Sequence, residues 1–173
     1  IWLHDRVGNY WIDGKEINNK GVCLFNNISN TIDKIVVLSD WHKEACISFY
    51  NQININKYKI IGHGIETKFY KQSNQKKIPL KFTYCSCPSR GLDILIDIIE
   101  QLQKKYPDVT LDVCWYNIPI NIKTRIAKNK NINFLGRLNQ KELTNQLLKT
   151  SFWLSPLTIT ETFCISSLQA QAA

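Results

Sequence analysis

The amino-acid sequence predicts an α/β protein built on doubly wound parallel sheets. Three observations carry that reading. Ile35 to Leu38 is a continuous run of β-branched residues and leucine, the pattern of a parallel strand buried on both faces. Short apolar runs of the same kind alternate with segments of helical period through the second half of the chain. Finally, Phe152 to Ala173, FWLSPLTITETFCISSLQAQAA, reads as strand, polar loop and helix, with Phe163, Leu168 and Ala172 at helical spacing. In an open α/β sheet, ligands bind in the crevice beyond the carboxyl ends of the strands. A helix that starts there aims its unpaired N–H groups into the crevice, which suits an anion.

Taken in order, Ile1 to Leu3 is expected to be the tail of a strand that delivers His4 and Asp5 at its end, a position that fits either a functional pair or a turn. Residues 8–30 carry Gly, Asn and Asp turn signals, and Val22 to Phe25 fits a short helix or a strand equally well. After the strand at Ile35, Ser39 or Asp40 caps a helix beginning at Trp41. Trp41, Ala45 and Phe49 share one face by i, i+4, i+8 spacing and are expected in the core, with His42 and Lys43 in a solvated first turn. A strand over Lys59 to Ile61 leads to Gly62-His63-Gly64, a turn signal. The polar, aperiodic stretch 71–79 (KQSNQKKIP) is expected to be a hinge between residues 1–70 and a second domain, 80–173.

The second half gives a strand at Phe82 to Cys85, a turn through Arg90-Gly91, and a helix whose apolar stripe runs Leu92, Leu95, Ile96, Ile99, Leu102. Strands follow at Leu111 to Trp115 and at Ile132 to Leu135, the latter closed by Gly136. Asn139 with Glu142 three residues on is a capping pair for a helix that turns Leu143, Leu147 and Leu148 inward, and Phe152 to Leu154 is the last strand.

Composition bounds the function. At 173 residues and 44% apolar content the chain is long enough and apolar enough to form a core. It contains no run of about eighteen apolar residues, and its first residues lack the layout of a signal peptide, so a cytoplasmic location is expected. The absence of methionine and the stop of QAQAA inside a helical pattern give the expectation of a piece of a longer chain. The charge of +8 favours anionic partners, although lysine is spread throughout, as on a solvated face. No nucleic-acid-binding motif accompanies it, so nucleic acid is not an expected partner. Six scattered cysteines (Cys23, Cys46, Cys85, Cys87, Cys114, Cys164) read as reduced thiols. The C-x-C at Cys85 and Cys87 has no second pair at zinc-site spacing, and no metal site is expected.

Two side chains stand out at the predicted strand ends. Arg90 follows a strand and precedes a helix, where a guanidinium can grip phosphate oxygens in bidentate fashion or merely decorate a turn. Glu161, an acceptor-only carboxylate in the loop before the last helix, is suited to hydroxyl groups or to capping its own helix.

The succession SRGLD, PDVTLDV, NINFLGRL, KEL, LSP and ETFCISSLQAQA resembles the nucleotide-binding C-terminal domain of retaining glycosyltransferases of family 4, which have the GT-B fold. WLHD, SDWHK and GHGIE resemble the end of their N-terminal acceptor domain, so that the likeness covers nearly the whole chain and implies two Rossmann-like domains, both incomplete. The resemblance implies a nucleoside diphosphate sugar as donor substrate, no cofactor and no metal, and a glycan, lipid or protein acceptor, with peripheral contact at a membrane surface. The family's pair of glutamates separated by seven residues falls on Glu161 and Gln169. The first position implies contact with hydroxyls of the donor sugar; the second implies contact with the ribose, here through glutamine, which can both donate and accept. The backbone N–H groups of Phe163, Cys164 and Ile165 would meet the diphosphate, and Arg90, followed by Gly91, fits the family's phosphate-binding lysine. A further arginine of the family falls on Cys85, and His4 matches a histidine that faces the donor sugar. Other GT-B enzymes, such as an epimerase or phosphorylase, and a binding protein with weakened catalysis are the rival readings, the last kept alive by Gln169.

Overall fold

The computed structural model describes Leu3 and residues 11–12, 15–16, 29–71 and 75–173. Contacts divide the chain into two compact units, Ile1–Gly64 with Thr160–Cys164, and Ile65–Ile159 with Ile165–Ala173.

In the first unit β1 (Trp11–Ile12) and β2 (Lys15–Glu16) form an antiparallel pair, and β3 (Ile35–Val37) and β4 (Tyr58–Ile60) a parallel one. Leu3 N–H donates to Val36 O at 2.9 Å, which sets the incoming chain beside β3. Helix α1 (Asp40–Phe49) crosses between the parallel strands, capped by Ser39, whose hydroxyl accepts the His42 N–H. Its buried face differs by one residue from the expected one. His42, Cys46 and Tyr50 are fully buried against Ile35, Val37 and Tyr58, whereas Trp41 and Phe49 are 45% and 40% exposed. The two stripes have the same spacing and lie about 100° apart on the helix, so periodicity alone does not choose between them. His42 settles the choice by accepting the Leu38 N–H at Nδ1 (3.3 Å), which ties the first turn to the end of β3.

The second unit is built on a four-stranded parallel sheet in the order β7-β6-β5-β8. Its elements are β5 (Ile78–Tyr84), α2 (Leu92–Lys105), β6 (Thr110–Cys114), α3 (Ile120–Lys128), β7 (Ile132–Gly136), α4 (Gln140–Lys149), β8 (Thr150–Trp153) and α5 (Ile165–Ala172). The strand order reverses between β5 and β8, which makes the carboxyl ends of those strands the topological switch point. Strand β5 begins at Ile78, ahead of the apolar run, and Leu80 takes a left-handed φ of 55° where the pairing with β8 shifts register. Helix α3 was not expected from the sequence; Pro119 opens it, and Ile122 and Ile126, one turn apart, pack it on the core.

The two faces of this sheet differ in kind. Phe82, Tyr84, Leu111, Val113 and Ile132 pack with Leu92, Leu95, Ile96 and Ile99 of α2 and Ile122 of α3 into an apolar core, each such side chain contributing about 1.5–3 kcal/mol. The opposite face, toward α4, is polar. Asp112, 3% exposed, accepts from Lys81 Nζ (2.5 Å), Gln146 Nε2 (2.6 Å) and Asn133 Nδ2 (2.9 Å). Gln146 Nε2 also reaches Thr83 Oγ1 (3.1 Å), and the Thr83 and Thr150 hydroxyls lie 2.6 Å apart. The donors and acceptors of this buried layer are matched to one another, as burial of polar groups requires.

Candidate functional site

Within the second unit the carboxyl edge of the sheet gathers several of the residues picked out by sequence. Strand β5 runs into a tight turn, Pro88–Arg90, held by Arg90 N–H on Cys87 O (2.9 Å) and by Tyr84 Oη on the same carbonyl (2.7 Å). Gly91 then takes a φ of 101°, and a Cβ there would stand 1.9 Å from Pro156 O in the loop after β8. Only glycine fits this conformation and this approach. The loops on either side of the switch point are thereby pressed together, with Arg90 on the turn between them. Helix α5 starts at the same place, since Ser166 Oγ donates to Cys85 O at 3.1 Å. Arg90, Gly91 and Ile165 are therefore neighbours at the end of β5.

Beside them opens a cavity of about 590 Å³ lined by Cys85, Cys114, Trp115, Tyr116, Arg137 and the first turn of α4. Trp115 N–H donates to Gly136 O (3.0 Å), fixing the segments that leave β6 and β7. The Trp115 and Tyr116 rings meet edge to face at 5.3 Å, and the Arg137 guanidinium lies 4.7 Å from the centre of the Tyr116 ring. The expected capping box forms in full: Asn139 N–H on Glu142 (2.8 Å) and Glu142 N–H on Asn139 (3.0 Å). It anchors the start of α4 at the mouth of the cavity. Gln169 is buried, and its amide donates to Gln140 Oε1 (3.3 Å), a residue of the cavity lining. Burial pushes the Cys114 thiol up to about 12 and the Tyr84 phenol well above its ordinary range. The cavity can take a flat, partly charged ligand against its aromatic and guanidinium lining, and Cys85 in that lining connects it to the end of β5, where Arg90 and the start of α5 lie.

The remaining site residues fall in the first unit. There Thr162 is buried and its carbonyl accepts from Ser39 Oγ (2.9 Å). Phe163 packs its ring on Gly62, where a Cβ would come within 2.8 Å of it, and meets His63 edge-on at 5.5 Å. Glu161 and Cys164, partly buried, flank these anchored residues. His4 lies outside the described residues. Among the described residues no group of three or more His, Cys, Asp or Glu is placed to hold a metal ion, and no helix is long and apolar enough to cross a membrane. Tyr116 and Arg137 were not singled out from the sequence. Their signal was positional: each directly follows the end of a parallel strand or its last neighbour.

No protein-family model and no curated protein sequence matches the chain. Solved structures do. TarM of S. aureus aligns over 99% of the chain and 34% of its own length, with a TM-score of 0.73 and 16% identity. The pneumococcal O-GlcNAc transferase GtfA, in complex with UDP and GlcNAc, aligns over 99% of the chain and 35% of its own, again with a TM-score of 0.73 and 16% identity. Anabaena HepE, in complex with UDP and glucose, aligns over 99% of the chain and 49% of its own, with a TM-score of 0.71 and 16% identity. The chain has the α/β fold of these GT-B glycosyltransferases and spans about a third of the length of the first two.

Proposed function

We propose that the chain is the donor-handling part of a retaining glycosyltransferase of family 4, moving a sugar from a nucleoside diphosphate sugar to a glycan, lipid or protein acceptor without a metal ion. The observation that carries this reading is the sheet edge of the second unit. A cavity walled by Tyr116 and Arg137 adjoins the Arg90 turn and the start of α5, which is the layout a base joined to a diphosphate needs. The UDP held by GtfA and HepE supports a nucleotide-linked donor here.

In this reading Arg90 and the N–H groups of Phe163, Cys164 and Ile165 stabilise the charge that builds on the departing diphosphate, usually the largest catalytic contribution. The leaving group takes the bonding electrons and the anomeric carbon becomes oxocarbenium-like. Glu161 and His4 are assigned to the donor sugar, and Gly91 lets the Arg90 turn approach the loop after β8 closely. Gln169, already bonded to Gln140 through its amide, keeps its carbonyl oxygen for the ribose. A binding protein with weakened turnover is the second reading, favoured by this amide in place of a carboxylate. The working place is cytoplasmic, with peripheral contact at a membrane surface.

The experiment is a thermal-shift screen of UDP-, GDP- and ADP-sugars followed by turnover assays. A donor at a hundred times its Kd adds about 2.7 kcal/mol of stability, or roughly 5–11 °C in Tm for a chain of this size. Glu161→Ala is expected to retain this shift and to lose turnover at least about a hundredfold, of the order seen when one transition-state contact is removed. Equal turnover by Glu161→Ala and the parent protein, or no shift with any sugar nucleotide, removes the assignment.

A further inference from the structure

We propose that Cys85 and Cys114 form a reversible dithiol–disulfide site in the wall of the cavity, oxidised by peroxide and restored by thiols. Three observations place the pair. First, β5 and β6 pair in parallel through Tyr84 opposite Val113, and Cys85, just past the end of β5, and Cys114, the last residue of β6, follow directly on that pair. Adjacent strands lie about 4.7–4.9 Å apart, inside the roughly 4.4–6.8 Å between Cα atoms that a disulfide spans. Second, Tyr84 and Val113 both point into the apolar core, so alternation sends Cys85 and Cys114 together to the opposite face, where both line the one cavity. Third, the two sulfurs sense each other electrostatically: a charge on Cys85 raises the Cys114 thiol further.

The two thiols differ in access, which assigns their order of reaction. Cys85 is partly exposed and its carbonyl is held by Ser166, whereas Cys114 is 5% exposed. The Cys85 thiolate attacks hydrogen peroxide; the O–O bond breaks, hydroxide leaves and a sulfenic acid forms on Cys85. The Cys114 sulfur then displaces the sulfenic oxygen as water, forming the S–S bond. In sum, two thiols and one peroxide give a disulfide and two waters, the sulfurs losing two electrons and the peroxide oxygens gaining them. Side chains directly opposite on parallel strands must be drawn together to reach the mean Cβ separation of about 3.8 Å. The bond is consequently strained and readily reduced, as regulatory disulfides are. Cys87, the competing partner, lies only two residues away on the turn and has Ser89 Oγ at 3.2 Å. The pair does not depend on what the cavity binds.

The test begins with reduced protein and one equivalent of hydrogen peroxide, alkylation of the remaining thiols in denaturant, and peptide mapping by mass spectrometry before and after dithiothreitol. A Cys85–Cys114 linked peptide released by dithiothreitol is the expected product. A Cys85–Cys87 link, an intermolecular dimer through Cys85, or sulfinic acid on Cys85 with Cys114 still alkylated overturns the proposal. Cys114→Ser is expected to abolish the link and to leave Cys85 as a sulfenic acid, which dithiothreitol still reduces and which only excess peroxide carries on to irreversible sulfinic acid. Because that buried change can unfold the protein, the parent protein is also titrated with phenylarsine oxide, which bridges two thiols at disulfide spacing. Joint protection of Cys85 and Cys114 from alkylation at one equivalent supports the pair, and undiminished labelling of Cys85 refutes it.

Discussion

Substitution of the glycines tests whether the switch-point loops are held as described. Gly136 and Gly91 both have left-handed backbones, φ 71° and 101°, but a Cβ on Gly136 meets nothing within 4 Å. Gly136→Ala therefore isolates the conformational cost of an L residue in that region, about 1–2 kcal/mol. At Gly91 the new Cβ stands 1.9 Å from Pro156 O and 2.9 Å from the Pro156 carbonyl carbon, both backbone atoms that cannot rotate aside. Overpacking of this kind adds about 1–3 kcal/mol, which brings Gly91→Ala to roughly 2–5 kcal/mol and a fall in Tm of roughly 4–20 °C. Gly64 has no left-handed backbone and no atom within 4 Å of its Cβ position, and Gly64→Ala serves as the neutral control. Urea titrations of the three variants with unchanged m-values measure the differences as shifts in midpoint. If Gly91→Ala costs no more than Gly136→Ala, the contact between the Arg90 turn and the loop after β8 is not what holds that edge.

Three other outcomes follow from the same geometry. Asp112→Ala leaves the partly exposed Lys81 ammonium without its carboxylate and Gln146 without its acceptor, and is expected to cost about 3 kcal/mol in urea unfolding, the low end of the loss seen when one partner of a buried ion pair is removed. Asn139→Ala removes the acceptor of the capping box and is expected to cost about 1 kcal/mol by the same measurement. Burial raises the Cys46 thiol from its ordinary 9.0 to about 12, so its contribution to stability is complete below pH 9 and is lost as pH rises through 12; the unfolding midpoint falls over that window, and less steeply in Cys46→Ala.

The sequence made the parallel architecture of the second half legible because its strands are continuous apolar runs and its longest helix, α2, carries an apolar stripe of helical period. Local chemistry was equally readable: Ser39 caps α1, and Asn139 and Glu142 form the box at α4. Phase was not. The stripe through Trp41 and the stripe through His42 have identical spacing, and the outcome turned on one side chain-to-backbone hydrogen bond that no periodicity encodes. Helix α3 escaped notice because INIKTRIAK buries one residue only, Ile122. Of the candidate site, Arg90, Gly91 and Gln169 were expected by position and resemblance. The wall made by Tyr116 and Arg137 was hidden because two residues distant in sequence meet only when β6 and β7 pair.

The polar layer beneath α4 has a consequence for the cavity that this helix's first turn lines. Apolar burial changes little under a small rotation of a helix about its axis, because the hydrophobic effect is non-directional. Hydrogen bonds from Gln146 to both Asp112 and Thr83 are not indifferent: a rotation that improves one lengthens the other. Helix α4 is thus indexed to the sheet at a single azimuth. Its opening turn, from Asn139 to Leu143, inherits that orientation, so the mouth of the cavity is aligned by side chains buried well inside the unit.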